Sequence, residues 1–160
     1  MSNPDNVCFT FDAACDAAIE METRIYLDFL HAIRIVNDKA AVEILQDAAA
    51  VRLGIKHKLE LAALKGGIDG QKATKPVPIM NLDKSIRCCD LHHINGKADN
   101  RKALAYSIQR FKNALEFYRD MTSQCSGAPM AQLFKTLGDI QTKDLQRLED
   151  TYEEHFLTEG

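Results

Sequence analysis

The chain has 160 residues, of which 46% are hydrophobic and 27% charged, and its formal net charge at pH 7 is −3. This length and apolar content predict a single domain with a sizeable core. The small negative charge argues against binding to nucleic acid or to an anionic membrane surface. No stretch approaches the roughly 18 uninterrupted apolar residues of a membrane-spanning helix, so we expect no contact with a membrane.

The N-terminal residues and the cysteines indicate in which cellular compartment the protein is expected. The opening sequence MSNPDNVCFTFD lacks a basic segment followed by an apolar run, so no secretory signal is predicted. The cysteines are odd in number and include no Cys-x-x-Cys pair; they are Cys8, Cys15, Cys88, Cys89 and Cys125. These observations predict reduced thiols in a cytoplasmic protein, with neither a disulfide framework nor a cysteine-rich metal site.

The first half of the chain has the apolar spacing of four and three residues that is typical of bundled helices. Helix 1 is predicted over residues 10–36, with Thr10 as its N-cap, and helix 2 over 38–65, with Asp38 as its N-cap. The core stripe of helix 1 contains one carboxylate, Glu22, which is costly to bury unless it is paired, protonated or bound to metal. The predicted core stripe of helix 2 consists of Ala50, Gly54, His57, Leu61 and Leu64.

Residues 66–98 lack this spacing and contain several glycines and prolines, which fits a long crossover between the two ends of a bundle. Within them, Cys88 and His92, and likewise Cys89 and His93, are four residues apart. On a helix each pair would present two ligands to zinc or copper. The alternatives are a partly buried turn, which we favour because two ligands do not make a site, and a thiol-based sensor.

The second half repeats the pattern of the first. Helix 3 is predicted over 99–125 with Asp99 as its N-cap, a turn follows at 126–129, and helix 4 is predicted over 129–156. No segment has the alternating pattern of a strand. The predicted fold is therefore all-α, a four-helix bundle of two antiparallel helical hairpins joined by one long crossover.

Three segments resemble helices of the rubrerythrin-type proteins, within the ferritin-like superfamily: AIEMETRIYLDFL, ALAYSIQRFKNALEFYRDM and LFKTLGDIQTKDLQRLEDTYEEHF. They are similar to the first, third and fourth helices of that family. The resemblance implies a ferritin-like bundle and a homodimer. The resemblance also implies a di-iron centre. In proteins of the family, helices 1 and 3 each give a Glu to this centre, and helices 2 and 4 each give a Glu-x-x-His pair.

Carried onto this sequence, the resemblance matches two of the six ligand positions, Glu22 and His57. The remaining four positions hold Gly54, Phe111, Gln141 and Asp144. Phe111 is expected to be ordinary core packing. The rubredoxin-type cysteine module of true rubrerythrins is also absent. We therefore predict a binding or scaffold protein whose di-iron site is largely lost, and the sequence leaves open whether peroxidase or ferroxidase activity remains.

Two alternatives remain for the polar residues in the core. The first is an oxidoreductase or metal carrier that holds at most one iron, manganese or zinc ion. Its ligands would be Glu22, His57, Gln141 and Asp144. The second is a metal-free network in which Glu22 or Asp144 pairs with His57, because polar groups clustered in a core satisfy one another. Tyr26 and Tyr118 are expected to bond a buried carboxylate in either case.

Overall fold

The computed structural model describes residues 6–65 and 94–157. These residues form four α-helices and a closing π-helical turn: α1 (Phe11–Ile35), α2 (Lys39–Leu64), α3 (Asn100–Gln124), α4 (Ala131–Tyr152) and the turn Glu153–Leu157. No strand occurs within the described ranges. The all-helical class is confirmed, and the four helices are consistent with a four-helix bundle. Most of the predicted crossover, including its paired cysteines and histidines, lies outside the described residues.

The helices begin where local sequence signals place them. Thr10, Asp38 and Asp99 are the N-caps of α1, α2 and α3. The side-chain oxygen of each accepts a hydrogen bond from the backbone N–H three residues later, at 2.9–3.2 Å. The turn between α3 and α4 contains Gly127 with a φ of 81°, a left-handed conformation that glycine adopts without a steric penalty. Capping and turn chemistry therefore set these boundaries.

The helices pack so that each contributes to one interior. α1 packs along α2, α3 packs along α4, and α2 also contacts α3. Contacts between α1 and α3 run in opposite order along the two helices: Glu22 meets Tyr118, and Phe29 meets Tyr106. α1 and α3 therefore point in opposite directions. None of the helices in the described ranges is long and apolar enough to span a membrane.

The buried face of α2 differs from the predicted one. Its buried side chains are Ala41, Leu45, Ala48, Ala49, Arg52, Ile55, Leu59 and Ala62. The stripe that the sequence analysis placed in the core, which includes Gly54 and His57, is exposed. α2 carries two apolar stripes with the same helical spacing, and the inner one is interrupted by Arg52. Periodicity alone therefore favoured the wrong stripe.

A disulfide links Cys8 to Cys125 with an S–S distance of 2.00 Å, so the prediction that all five cysteines are thiols is wrong for these two. Both residues are buried, and the bond joins the segment before α1 to the end of α3. The backbone N–H of Met130 also donates to the Cys8 carbonyl at 3.0 Å. Cys15 stays a thiol inside the core, where burial raises its pKa to about 12.

Candidate functional site

Four polar side chains meet in the middle of the bundle, one from each helix. They are Glu22 from α1, Arg52 from α2, Tyr118 from α3 and Gln141 from α4, and each has a relative exposure of 0%. We refer to these four as the core cluster. Because every helix contributes one member, the packing of the whole bundle is needed to assemble it.

Arg52 lies at the centre of the hydrogen bonds and charges of the core cluster. Its Nε is 3.5 Å from Oε1 of Glu22, and its Nη2 donates to Oε1 of Gln141. On the other side of the carboxylate, the Tyr118 hydroxyl donates to Oε2 of Glu22 at 2.6 Å. The guanidinium therefore joins the carboxylate of α1 to the amide of α4. Because these buried charges have lost their hydration, each is stabilised mainly by the opposite charge beside it.

The face of the guanidinium is covered by an aromatic ring. The Cζ atom of Arg52 lies 4.4 Å from the ring centroid of Phe111, a distance at which a cation is attracted to the π-electrons. Phe111 in turn packs edge-on against Phe29, with 6.3 Å between the ring centroids. The expectation that Phe111 is core packing is confirmed by its burial. Its additional contact with a buried cation was not predicted.

The core cluster is only partly satisfied by hydrogen bonds. Oε1 of Glu22, Nη1 of Arg52 and Nε2 of Gln141 have no hydrogen-bond partner in the part of the chain that the structure describes. The Glu22–Arg52 contact at 3.5 Å is accordingly an ion pair without a well-formed hydrogen bond. Buried polar atoms that are incompletely bonded carry a desolvation cost, so the contacts that remain matter more.

Burial raises the pKa of the Glu22 carboxyl above its usual value of 4.5, because an enclosed site disfavours the charged form. The nearby guanidinium of Arg52 and the hydrogen bond from Tyr118 act in the opposite direction, and the charge of Asp144 adds to the increase. Burial likewise raises the pKa of Tyr118, and the adjacent Glu22 raises it further. Tyr118 is therefore held in its protonated form, as the donor to Glu22.

The structure brings together two of the four residues predicted to ligate a metal. Glu22 and Gln141 both contact Arg52. Asp144 is half-buried, one turn beyond Gln141, and pairs with an arginine of its own helix at 3.6 Å. His57 is exposed on α2. The predicted pairing of His57 with Glu22 or Asp144 is wrong, because α2 is rotated so that Arg52 faces the core.

Arg52 is the residue that sequence reasoning missed, although a signal for it exists. It follows Leu45 and Ala48 and precedes Ile55 and Leu59 at helical spacing, so it lies on an apolar stripe as Glu22 does. Two opposite charges, each alone on the apolar stripe of a different helix, indicate a buried ion pair. That comparison between helices would have identified the partner of Glu22.

The donor atoms of the core cluster do not fit a di-iron centre. Such a centre needs several carboxylates to offset two dications, whereas the cluster offers one carboxylate and one amide oxygen, both already bonded to neighbours. A metal ion there would also meet the positive guanidinium of Arg52. Among the residues at 6–65 and 94–157, no group of three or more His, Cys, Asp or Glu side chains is arranged to hold a metal.

Comparison with models of protein families, with curated proteins and with solved structures gave no match to this chain.

The buried Glu22 carboxyl should make the free energy of unfolding depend on pH. Because burial raises its folded-state pKa above the unfolded value, the folded protein binds this proton more tightly. The stabilisation from this group is complete below about pH 4.5 and is lost as the pH rises through the folded-state pKa. We therefore expect wild type to gain stability relative to Glu22→Gln on acidification. Chemical denaturation of both proteins, from below pH 4.5 to neutral pH, measures the difference between their free energies of unfolding.

The matched control for this experiment is Glu20→Gln, which neutralises an exposed carboxylate on the same helix. Its stability should follow that of wild type at every pH. A difference between wild type and Glu22→Gln that stays constant with pH would contradict the assignment of a raised pKa to Glu22.

Proposed function

We propose that this chain is a ferritin-like protein of the rubrerythrin type in which an internal ion pair has replaced the di-iron site, and that it acts as a binding or scaffold protein. One observation carries the proposal. The Arg52 guanidinium lies in the middle of the bundle, in contact with both Glu22 and Gln141. These are two of the positions at which the family resemblance places metal ligands.

The physical argument concerns charge. Two dications in a low-dielectric core repel each other and need surrounding carboxylates to offset them. Here the single buried carboxylate, Glu22, is offset by a cation that belongs to the protein itself. A guanidinium charge about 4 Å from a unit charge of the same sign adds a repulsion on the order of 4 kcal/mol at an effective dielectric constant of 20. Arg52 therefore both meets the need of Glu22 for a counter-charge and opposes a metal at that place.

The alternative, a single iron, manganese or zinc ion at the four sequence-predicted residues, has less support. His57 is exposed on α2, and the half-buried Asp144 pairs with the exposed Arg147 of its own helix and makes no hydrogen bond to the core cluster in the described part of the chain. Oε2 of Glu22 and Oε1 of Gln141 already accept hydrogen bonds, and Oε1 of Glu22 faces the positive guanidinium of Arg52, which opposes a metal ion at that oxygen. The cytoplasmic location is predicted from the lack of a secretory signal, but the disulfide contradicts the reduced thiols expected in that compartment. We infer that the chain folds in an oxidising environment, where such bonds persist.

Iron binding tests the proposal directly. Wild-type protein titrated with ferrous iron in the presence of oxygen is expected to retain at most about one iron per chain after gel filtration, because the core lacks the carboxylates that bridge two irons. It should oxidise iron no faster than buffer does. Two irons per wild-type chain, with the absorbance band of an oxo-bridged pair, would contradict the proposal.

A gain-of-function variant supplies the comparison. Arg52→Glu combined with Gln141→Glu removes the cation and adds carboxylates at two positions around Glu22. This double variant should be less stable than wild type without metal and should regain stability as ferrous iron is added. Thermal denaturation with and without iron measures both effects. If iron stabilises wild type as much as it stabilises the variant, Arg52 does not block a metal site.

A further inference from the structure

The outer face of α2 is exposed along its length in the described part of the chain, and its middle is apolar. Eleven exposed residues share this face at helical spacing: Lys39, Ala40, Glu43, Asp47, Ala50, Val51, Gly54, His57, Lys58, Leu61 and Lys65. Leu53 and Leu64 flank it, with 43% and 84% of their surfaces exposed. We refer to these residues as the outer face. A surface helix normally presents polar residues to water, so an apolar middle indicates a partner surface.

Gly54 lies at the centre of the outer face and is not explained by packing among the residues that the structure describes. A glycine in the middle of a helix costs about 0.5–1 kcal/mol relative to alanine. A Cβ atom placed on Gly54 would meet nothing within 4 Å, so the described part of the chain has room for a side chain. With Ala50 one turn earlier, Gly54 leaves a flat area onto which the backbone of another helix fits closely.

The charges of the outer face indicate which helix packs against it. Glu43 and Asp47 make the part of the face before Ala50 acidic, although the exposed Lys39 precedes them at the start of α2, and Lys58 and Lys65 make its C-terminal part basic. Glu43 precedes Gly54 by as many residues as Lys65 follows it. An identical helix that packs antiparallel around Gly54 therefore sets acid against base at both ends, whereas a parallel copy sets like charges together.

We infer that a second copy of this chain docks on the outer face of α2, antiparallel about a two-fold axis at Gly54. In this arrangement Glu43 of each copy faces Lys65 of the other, and Asp47 lies beside Lys58 of the other. The inference does not depend on the proposed function. The sequence also offers apolar residues of helix 1 as a dimer contact; of these, Leu27 is 53% exposed, whereas Leu30 and Ile35 are half-buried and leave less apolar surface there than on α2.

The size of the contact predicts a weak dimer. The 26 residues of α2 extend over about 39 Å at 1.5 Å per residue. One helix face of that length supplies less than the roughly 800 Å² per partner of a standard stable interface. We therefore expect a reversible dimer that dissociates on dilution, and analytical ultracentrifugation over a wide concentration range is the suitable measurement.

A charge-swap series on the full chain tests the geometry. Wild type should approach twice its 17.9 kDa mass at high concentration. Glu43→Lys and Lys65→Glu should each weaken association about tenfold or more, because each change sets like charges together at two symmetric places. The double variant, Glu43→Lys with Lys65→Glu, should recover wild-type association. Gly54→Gln, which the monomer has room for, should also weaken it.

Glu116→Lys is the control, because it reverses an equally exposed charge on α3 and should leave association unchanged. Circular dichroism of every variant separates lost association from lost folding. Three results would overturn the inference: a wild type that is monomeric at all concentrations, a double variant that does not recover, or a dimer that none of these changes affects. The first would mean that a second copy of this chain is not what covers the outer face.

Discussion

Replacing Arg52 with alanine is expected to lower the free energy of unfolding by about 3–5 kcal/mol, the cost of leaving one partner of a buried ion pair alone. The change leaves Glu22 fully enclosed, with the Tyr118 hydroxyl as its one hydrogen-bond partner in the described part of the chain. It also removes the cation from the Phe111 ring and the donor from Gln141. Urea denaturation of wild type and variant at neutral pH measures the loss.

The surface ion pair on α4 provides the matched control. Arg147 pairs with Asp144 at 3.6 Å, but the Arg147 side chain is 80% exposed. Arg147→Ala should therefore change stability by no more than about 0.5 kcal/mol. The two variants carry the same substitution, at arginines that differ in burial and in their partners. If Arg52→Ala costs as little as the control, the guanidinium does not compensate Glu22.

A double variant separates the penalty of an unpaired charge from the net value of the pair. Replacing buried ion pairs with neutral groups of similar volume is often close to neutral in stability, whereas removing one partner is costly. Glu22→Gln combined with Arg52→Met keeps an acceptor for Tyr118 and fills most of the volume of the guanidinium. We expect this double variant to be more stable than Arg52→Ala, and its two single variants complete a cycle that measures the coupling.

The sequence predicted well those features that depend on local chemistry. The N-caps at Thr10, Asp38 and Asp99 are short-range signals, because each side chain bonds a backbone group three residues away. The burial of Glu22 followed from its place on an apolar stripe, and its bond to Tyr118 followed from the need of a buried carboxylate for a donor. The caps and the burial of Glu22 required no knowledge of how the helices are rotated. The bond between Tyr118 and Glu22 joins two helices, which is why the sequence offered Tyr26 and Tyr118 equally as its donor.

The rotation of α2 was not predictable from its own periodicity. α2 has apolar residues on most of its circumference, because the inner face packs in the bundle and the outer face carries Val51, Leu53 and Leu61. An apolar stripe shows that a helix face is buried by something, but it does not distinguish the interior of its own bundle from a partner. The error in placing His57 and the outer face inferred as a dimer contact thus have one physical origin.

Breaking the disulfide is the second change expected to have a large effect. Cys8 and Cys125 are 117 residues apart in sequence, so their bond greatly restricts the unfolded chain. In the chain-entropy description, losing a bond of this kind costs about 2–5 kcal/mol. Cys8→Ser and Cys125→Ser should each lower the free energy of unfolding by that amount. The double variant should be little worse than either, because one substitution already removes the bond.

The sensitivity of stability to reductant provides the internal control for this prediction. Reductant present throughout denaturation should destabilise wild type and leave the single variants unchanged, since they have no bond to lose. Peptide mass spectrometry without reductant should find the segment around Cys8 linked to the segment around Cys125. A wild type that is equally stable with and without reductant would contradict the prediction.

This disulfide also has a structural role at one end of the bundle. The backbone N–H groups of Phe9 and Thr10 both donate to the Asn6 carbonyl, at 2.9 and 2.8 Å, so the lead-in to α1 is a compact turn. The disulfide and the hydrogen bond from Met130 to Cys8 attach that turn to the α3–α4 connection. Amide hydrogen exchange in Cys125→Ser should therefore increase most at the start of α1 and around Met130, beyond the smaller increase that the lower global stability brings to the core cluster. Faster exchange at the core cluster than at these sites would mean that the disulfide stabilises the whole bundle and not this end of it.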